Sequence, residues 1–171
     1  MNPVVIDDMV LISAAYYHIG SALLKILPGN KTFEPIWRST ALEIHFTTPI
    51  YHNGYLYAFS GRDEPDAHFR CVEYKTGKVT WDRDESFAKH GLSDDKYGRG
   101  SAIMAEGKLI VLGETGLLAL FKVNPEKPEE ISRYRVPQLH PPCWAAPILS
   151  DKKVYLRSEN KLLCFDFAKA N

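Results

Sequence analysis

The sequence has 171 residues, of which 45% are hydrophobic and 12% aromatic, so it is long enough to fold around a substantial core. Lysine plus arginine equals aspartate plus glutamate at 21 each, and the formal net charge is zero. This balance argues against a nucleic-acid partner, and no apolar run approaches the roughly 20 residues of a transmembrane helix.

Four similar segments follow one another along the chain. Each has a short apolar stretch, a polar pair suited to a tight turn, and a second apolar stretch. Successive segments begin 46, 53 and 45 residues apart. A strand-rich repeat of this length is typical of a β-propeller blade. We therefore predict an all-β fold of four antiparallel blades, at about residues 1–40, 46–86, 99–138 and 144–171.

The strands can be assigned unit by unit in chain order. The second strands are predicted at Met9 to Ser13, Tyr55 to Phe59, Lys108 to Leu112 and Lys153 to Arg157. Fourth strands are predicted in three units. Two are Pro35 to Arg38 and Glu130 to Val136, and the segment from Lys75 to Trp81 is predicted as a Thr-Gly turn followed by a strand that ends in the tryptophan. The fourth unit is expected to have three strands. We interpret the chain as half of an eight-bladed ring, which a second copy or further blades would close; the family resemblance described next implies that it is the C-terminal half.

The end of the second unit resembles the repeat of pyrroloquinoline-quinone-type propellers, whose pattern runs roughly A-x-D-x-x-T-G-x-x-x-W. Cys71 replaces the alanine and Glu73 the aspartate, whereas the Thr-Gly pair and the tryptophan match. In that family the tryptophan packs between neighbouring blades and the Thr-Gly turn supports it. The resemblance implies blade-docking roles for Trp37, Thr76, Gly77 and Trp81.

The same resemblance raises the question of catalysis. Quinoprotein dehydrogenases hold their quinone beside a calcium ion with carboxylate and amide ligands, and many have two adjacent cysteines there. Cys71, Cys143 and Cys164 are not adjacent and have no metal-ligand spacing, so we expect buried structural thiols. We predict no catalytic residue, metal site or cofactor in this chain.

The predicted function is therefore a non-catalytic binding or scaffolding propeller of the quinoprotein-like type. Its nearest analogue is the propeller lipoprotein that helps to assemble outer-membrane proteins in bacteria. The alternative is a quinone-dependent oxidoreductase of the alcohol dehydrogenase type, with pyrroloquinoline quinone and calcium, whose catalytic residues lie in absent blades. The resemblance implies a periplasmic or secreted protein, although Met1 and Asn2 lead into the first strand without a signal peptide.

Polar and aromatic residues occupy the connections that lead into the first strands of three successive units. In a propeller these connections gather at one end of the central channel, so their side chains can converge from different blades. We predict that this channel mouth binds a protein or a small molecule. In the alternative interpretation, two hydroxyls satisfy backbone groups and a tryptophan packs between blades. The candidate residues are His45, Thr48, Arg99, Ser101, His140 and Trp144.

Overall fold

A computed structural model describes residues 1–29, 31–87 and 95–169 as four antiparallel sheets. Blade one consists of β1 (Val4–Ile6), β2 (Met9–Ala14), β3 (Gly20–Ile26) and β4 (Phe33–Ser39). Blade two consists of β5 (Ile50–His52), β6 (Tyr55–Ser60), β7 (His68–Glu73) and β8 (Val79–Asp84). Blade three consists of β9 (Gly100–Ala105), β10 (Lys108–Gly113), β11 (Leu117–Lys122) and β12 (Glu129–Arg135). Blade four consists of β13 (Ile148–Ser150), β14 (Lys153–Arg157) and β15 (Leu162–Asp166).

The strands of each blade are hydrogen-bonded in chain order, which confirms the predicted all-β fold with three four-stranded blades and one three-stranded blade. The first hairpin of every blade turns through a residue with positive φ, as tight hairpins of right-handed twist require. These residues are Asp7, Asn53, Glu106 and Asp151, with φ of 54°, 47°, 48° and 49°.

The last strand of blade two follows the Thr-Gly turn that the sequence predicts, but it continues beyond the tryptophan. The predicted strand ended at Trp81, whereas β8 runs from Val79 to Asp84. The backbone N–H of Gly77 donates to the carbonyl of Glu73 at 2.9 Å, so these residues form the turn between β7 and β8. Residues 88–94, in the long connection after β8, lie outside the described residues.

The hydrophobic core lies between neighbouring blades, because alternate side chains of each sheet point to the blade on either side. Between blades one and two it includes Leu11, Leu23, Leu56 and Val72. Between blades two and three it includes Tyr57, Phe69, Trp81, Val111 and Phe121. Between blades three and four it includes Leu112, Val136, Val154 and Leu156.

The cysteines do not all have the buried positions that the sequence predicts. Cys71 and Cys143 are buried, but Cys164 is exposed. Cys71 and Cys164 are equivalent in register, since they pair with Tyr57 and Tyr155 at matching positions of their blades. Cys71 points into the core between blades two and three. Cys164 lies on the face of blade four that is turned away from blade three, and the prediction is wrong for this residue.

Candidate functional site at the channel mouth

The connection into β5 is held in place by serine hydroxyls at the ends of neighbouring strands. Ser21 Oγ donates to the carbonyl of Leu42 at 2.6 Å. The backbone N–H of Ile44 donates to Ser13 Oγ at 2.9 Å. These bonds fix the backbone just before His45, so that the next two side chains leave the sheets at a defined position.

A buried ion pair fixes the connection into β9. Arg99 and Glu114 are 7% and 3% exposed, and Arg99 Nη2 lies 2.7 Å from Glu114 Oε2. The backbone N–H of Arg99 also donates to Glu114 Oε1 at 2.7 Å. Gly98 has a φ of +64°, and a Cβ there would lie 2.6 Å from Glu114 Oε1. Glycine therefore allows the close approach of backbone and carboxylate that this ion pair needs.

The connection into β13 brings an indole onto the same ion pair. Trp144 Nε1 donates to Glu114 Oε2 at 3.2 Å. The centroids of the Phe46 and Trp144 rings are 5.9 Å apart, and Arg99 Cζ lies 5.8 Å from each centroid. Three connections from different blades thus meet in one aromatic and cationic contact.

The contact continues across the face toward blade one. The rings of Tyr16 and His45 meet edge to face at 5.2 Å, and His45 Nε2 lies 3.1 Å from the Tyr16 hydroxyl. Arg62 Cζ lies 4.9 Å from the centroid of the Tyr16 ring. The backbone carbonyl of Arg62 accepts a hydrogen bond from Arg99 Nη1 at 2.8 Å. We call this row the aromatic rim: Tyr16, His45, Phe46, Arg62, Arg99, Glu114 and Trp144.

The predicted site residues have different positions relative to the rim. His45, Arg99 and Trp144 belong to it. Ser101 is buried and its hydroxyl donates to the carbonyl of Trp144 at 3.2 Å, so it supports the backbone there. Thr48 and His140 are exposed, and within the described part of the chain neither makes a ring contact with the rim.

Sequence reasoning missed four rim residues, namely Tyr16, Phe46, Arg62 and Glu114. Three of them lie in connections between second and third strands, and these connections are at the same end of the sheets as those into first strands. They could have been predicted from the strand order, because in an antiparallel sheet every second connection lies at the same end.

Of the residues predicted to join neighbouring blades, Trp37 and Gly77 meet across the contact between blades one and two. Trp37 Nε1 donates to the carbonyl of Tyr74 at 2.8 Å. A Cβ on Gly77 would lie 2.7 Å from Trp37 Cδ2, so the Thr-Gly turn of blade two receives the tryptophan of blade one. Thr76 is exposed, and its hydroxyl accepts a bond from the N–H of Lys78 at 3.2 Å within that turn.

Trp81 makes the corresponding contact one blade further along. It is 8% exposed, and its Nε1 donates to the carbonyl of Asn124 at 2.8 Å. Because Asn124 lies in the turn after β11, Trp81 joins blade two to blade three. The partner of the Gly77 turn is thus Trp37 of the preceding blade, a pairing that the family pattern did not indicate.

A calcium and quinone site would need carboxylate and amide ligands that are not already engaged. Across the described residues, no group of three or more His, Cys, Asp or Glu side chains is arranged to hold a metal ion. The Glu114 carboxylate is already bound by Arg99 and Trp144.

In the same described ranges, the helical segments are short turns and none is long and apolar enough to cross a membrane.

The chain has a β-propeller fold, which it shares with several solved structures. It is similar to BamB from Moraxella catarrhalis, with a TM-score of 0.57 and 14% identity over 95% of this chain and 41% of that one. It is also similar to a europium-containing methanol dehydrogenase, with a TM-score of 0.53 and 14% identity over 77% and 23%. The designed protein Ika4 matches with a TM-score of 0.58 and 10% identity over 96% and 88%.

These similarities establish the fold alone, because all the identities are low. The chain spans less than half the length of BamB and about a quarter of the methanol dehydrogenase. No protein-family model and no curated protein matches the sequence.

Proposed function

We propose that this chain is part of a non-catalytic binding propeller, and that the aromatic rim binds a segment of a partner protein. The observation that carries this proposal is the convergence of tyrosine, histidine, phenylalanine, tryptophan and arginine side chains from several connections. Tryptophan, tyrosine and arginine dominate the energetics of protein–protein interfaces. Within the rim, the Glu114 carboxylate neutralises the charge of the buried Arg99 guanidinium. A neutral surface of this kind favours apolar and aromatic side chains as ligands.

The exposure of side chains around the rim supports a protein partner. Trp144 is 49% exposed although its N–H is hydrogen-bonded, and Tyr16 is 47% exposed. Next to Tyr16, the side chains of Tyr17 and Ile19 are 88% and 66% exposed. A cluster of large exposed side chains on one face marks an interaction surface.

The backbone around Tyr17 gives the same indication. Tyr17 and His18 have φ of 58° and 52°, in the left-handed region that non-glycine residues seldom adopt. Strained backbone of this kind persists where the surroundings hold it and is common at ligand-binding positions. The connection between β2 and β3 therefore presents Tyr17 outward in a defined conformation.

The test is selection of binding peptides from a displayed random library against the whole chain. Peptides that bind the rim are expected to lose about tenfold or more in affinity with Trp144→Ala, as truncating an interface anchor does. Ile131→Ala is the control, because Ile131 is 50% exposed on β12 of blade three, away from the rim. Peptides that bind Trp144→Ala as tightly as the unaltered chain would contradict the proposal.

The competing function is a quinone-dependent oxidoreductase, which the likeness to a methanol dehydrogenase favours. We propose instead that the chain binds neither pyrroloquinoline quinone nor calcium, because the rim carboxylate is engaged in an ion pair. Titration with both, followed by absorbance and dye reduction, is the direct measurement. Saturable micromolar binding with alcohol-dependent turnover would reverse the order of the two functions.

The outer faces of blades one and four support a proposal about assembly. Val5 and Phe33 on blade one are 62% and 54% exposed, and Ile148 and Leu162 on blade four are 60% and 69% exposed. We propose that a second copy or further blades cover these faces, since apolar patches and strand edges favour association. Light scattering should show the purified chain as an oligomer, and a monodisperse monomer with a cooperative melt would contradict this.

The family resemblance also supports a periplasmic or secreted location, which we propose for the protein that contains this chain. Fractionation of the source cells with an antibody to the chain tests it directly. Recovery in the cytosolic fraction alone would contradict the location without affecting the binding proposal.

A further inference from the structure

The last strands of blades one to three have the same register, with one residue bulged out at the same place in each. In blade one Leu11 pairs with Leu23 and Leu23 with Trp37. In blade three Ile110 pairs with Leu120 and Leu120 with Ser132. In blade two the corresponding trio ends with Trp81. Ser132 therefore occupies the position at which the two preceding blades have a tryptophan.

Both tryptophans act in the same way. Each donates its indole N–H to a backbone carbonyl just after the third strand of the next blade. The acceptors are Tyr74, after β7, and Asn124, after β11. The backbone N–H of Tyr74 donates to the carbonyl of Gly54 at 2.8 Å, and that of Phe167 donates to the carbonyl of Lys152 at 2.9 Å. Phe167 is thus the residue of blade four that corresponds to Tyr74.

A cleft of about 640 Å³ lies between blades three and four where the third tryptophan would be. Ser132 and Phe167 both line it, together with Leu120 and Phe165. The cleft is continuous with the core between these blades, because Ile110 and Phe165 also pack against that core. Its size falls within the range of small-molecule sites, which is about 300–1,000 Å³.

We propose that this cleft binds a free planar aromatic compound of about the size of indole that carries an N–H donor. The positions of Trp37 and Trp81 in the first two contacts between blades indicate this chemistry. In each, an aromatic ring lies in the apolar space and its N–H is directed at the next blade. The cleft shares no residue with the aromatic rim, so the inference is independent of the proposed function.

The experiment titrates 5-fluoroindole with the whole chain and follows the fluorine NMR signal of the probe. Saturable binding is expected for the unaltered chain. Ser132→Trp should fill the cleft, weaken probe binding about tenfold or more and raise the melting temperature. The matched control is Ser150→Trp, which adds an indole at an exposed position of β13 outside the cleft and should leave binding unchanged.

A second probe keeps the test independent of whether Ser132→Trp folds. The 1-methyl derivative of 5-fluoroindole lacks the N–H and should bind the unaltered chain about fivefold more weakly, as expected for one lost hydrogen bond. Equal binding of the two probes would overturn the proposed N–H contact. No saturable binding of 5-fluoroindole, or binding that a folded Ser132→Trp leaves intact, would overturn the site itself.

Discussion

The buried core between blades two and three is rich in aromatic side chains, whereas the buried core between blades three and four has mainly aliphatic ones and a cleft beside it. In the first, Phe69 stacks on Phe59 at 4.6 Å and meets Trp81 and Phe121 edge to face at 5.3 and 5.5 Å. The second has Ser132 in place of the tryptophan. The strand registers match, so Ser132 and Trp81 occupy the same position in their blades although the two contacts are packed differently.

The contact between blades two and three also includes a pair of opposite charges. Arg83 of blade two reaches Glu130 of blade three, with Nη1 2.7 Å from Oε2. Burial would raise the pKa of the Glu130 carboxyl, but hydrogen bonds from Arg133 and Arg83 outweigh it and hold that pKa below its ordinary value. The first contact therefore combines aromatic packing with an ion pair between blades.

The largest effect is expected from removing the aromatic anchor of the first contact. Trp81→Ala should lower the free energy of unfolding by about 3–5 kcal/mol, because a large buried side chain leaves a cavity. Denaturant unfolding measures this change. Trp144→Ala is the comparison, since Trp144 is 49% exposed, and it should have a much smaller effect. Equal losses for the two variants would contradict the role of Trp81 in joining the blades.

The next effect concerns the turn that receives Trp37. Gly77→Ala should lower stability by about 1–3 kcal/mol, because φ is positive there and the new methyl group meets the indole. Gly107→Ala is a matched control: its φ of +69° is close to the +72° of Gly77, but no atom lies within 4 Å of the Cβ position. The difference between the two variants measures the contact with Trp37. A difference of zero would mean that this contact contributes nothing.

A smaller effect should follow from removing one hydrogen bond between blades. Trp37→Phe keeps an aromatic ring but removes the N–H that binds the carbonyl of Tyr74. We expect a loss of about 0.5–1.5 kcal/mol. Thermal unfolding of this variant beside Trp37→Ala compares the loss of the N–H and the fused ring edge with the loss of the whole ring, and identical losses would contradict a packing role for the ring.

The smallest effect concerns a charge next to Trp81. Burial would raise the pKa of Asp82, but Arg70, with Nη2 2.9 Å away, and His68 hold it below its ordinary value of 3.8. A lowered carboxyl pKa stabilises the fold above pH 3.8, and this contribution is lost as the pH falls below that value. Asp82→Asn should therefore reduce stability more at pH 7 than at pH 3. Equal losses at both values would exclude the ion pair as the cause.

The repeat pattern by itself determined the architecture of this protein. Period, turn residues and apolar stretches depend on local sequence, so the four blades and their numbers of strands in the described residues could be predicted. The precise end of β8 could not, because the strand continues from Trp81 to Asp84 through its pairing with β7, beyond the family pattern. His45, Arg99 and Trp144 of the rim could be named because they lie just before first strands.

Contacts between residues far apart in the chain could be assigned only from the tertiary structure. Glu114 and Phe46 belong to the rim because the blades bring their connections to one end, and no local spacing shows this. The same holds for Gly77, whose partner Trp37 lies on another blade, and for Cys164, whose exposure depends on which face is covered. Local sequence determines which strands form, but packing between blades decides which side chains meet, because a sheet exposes alternate residues to two different neighbours.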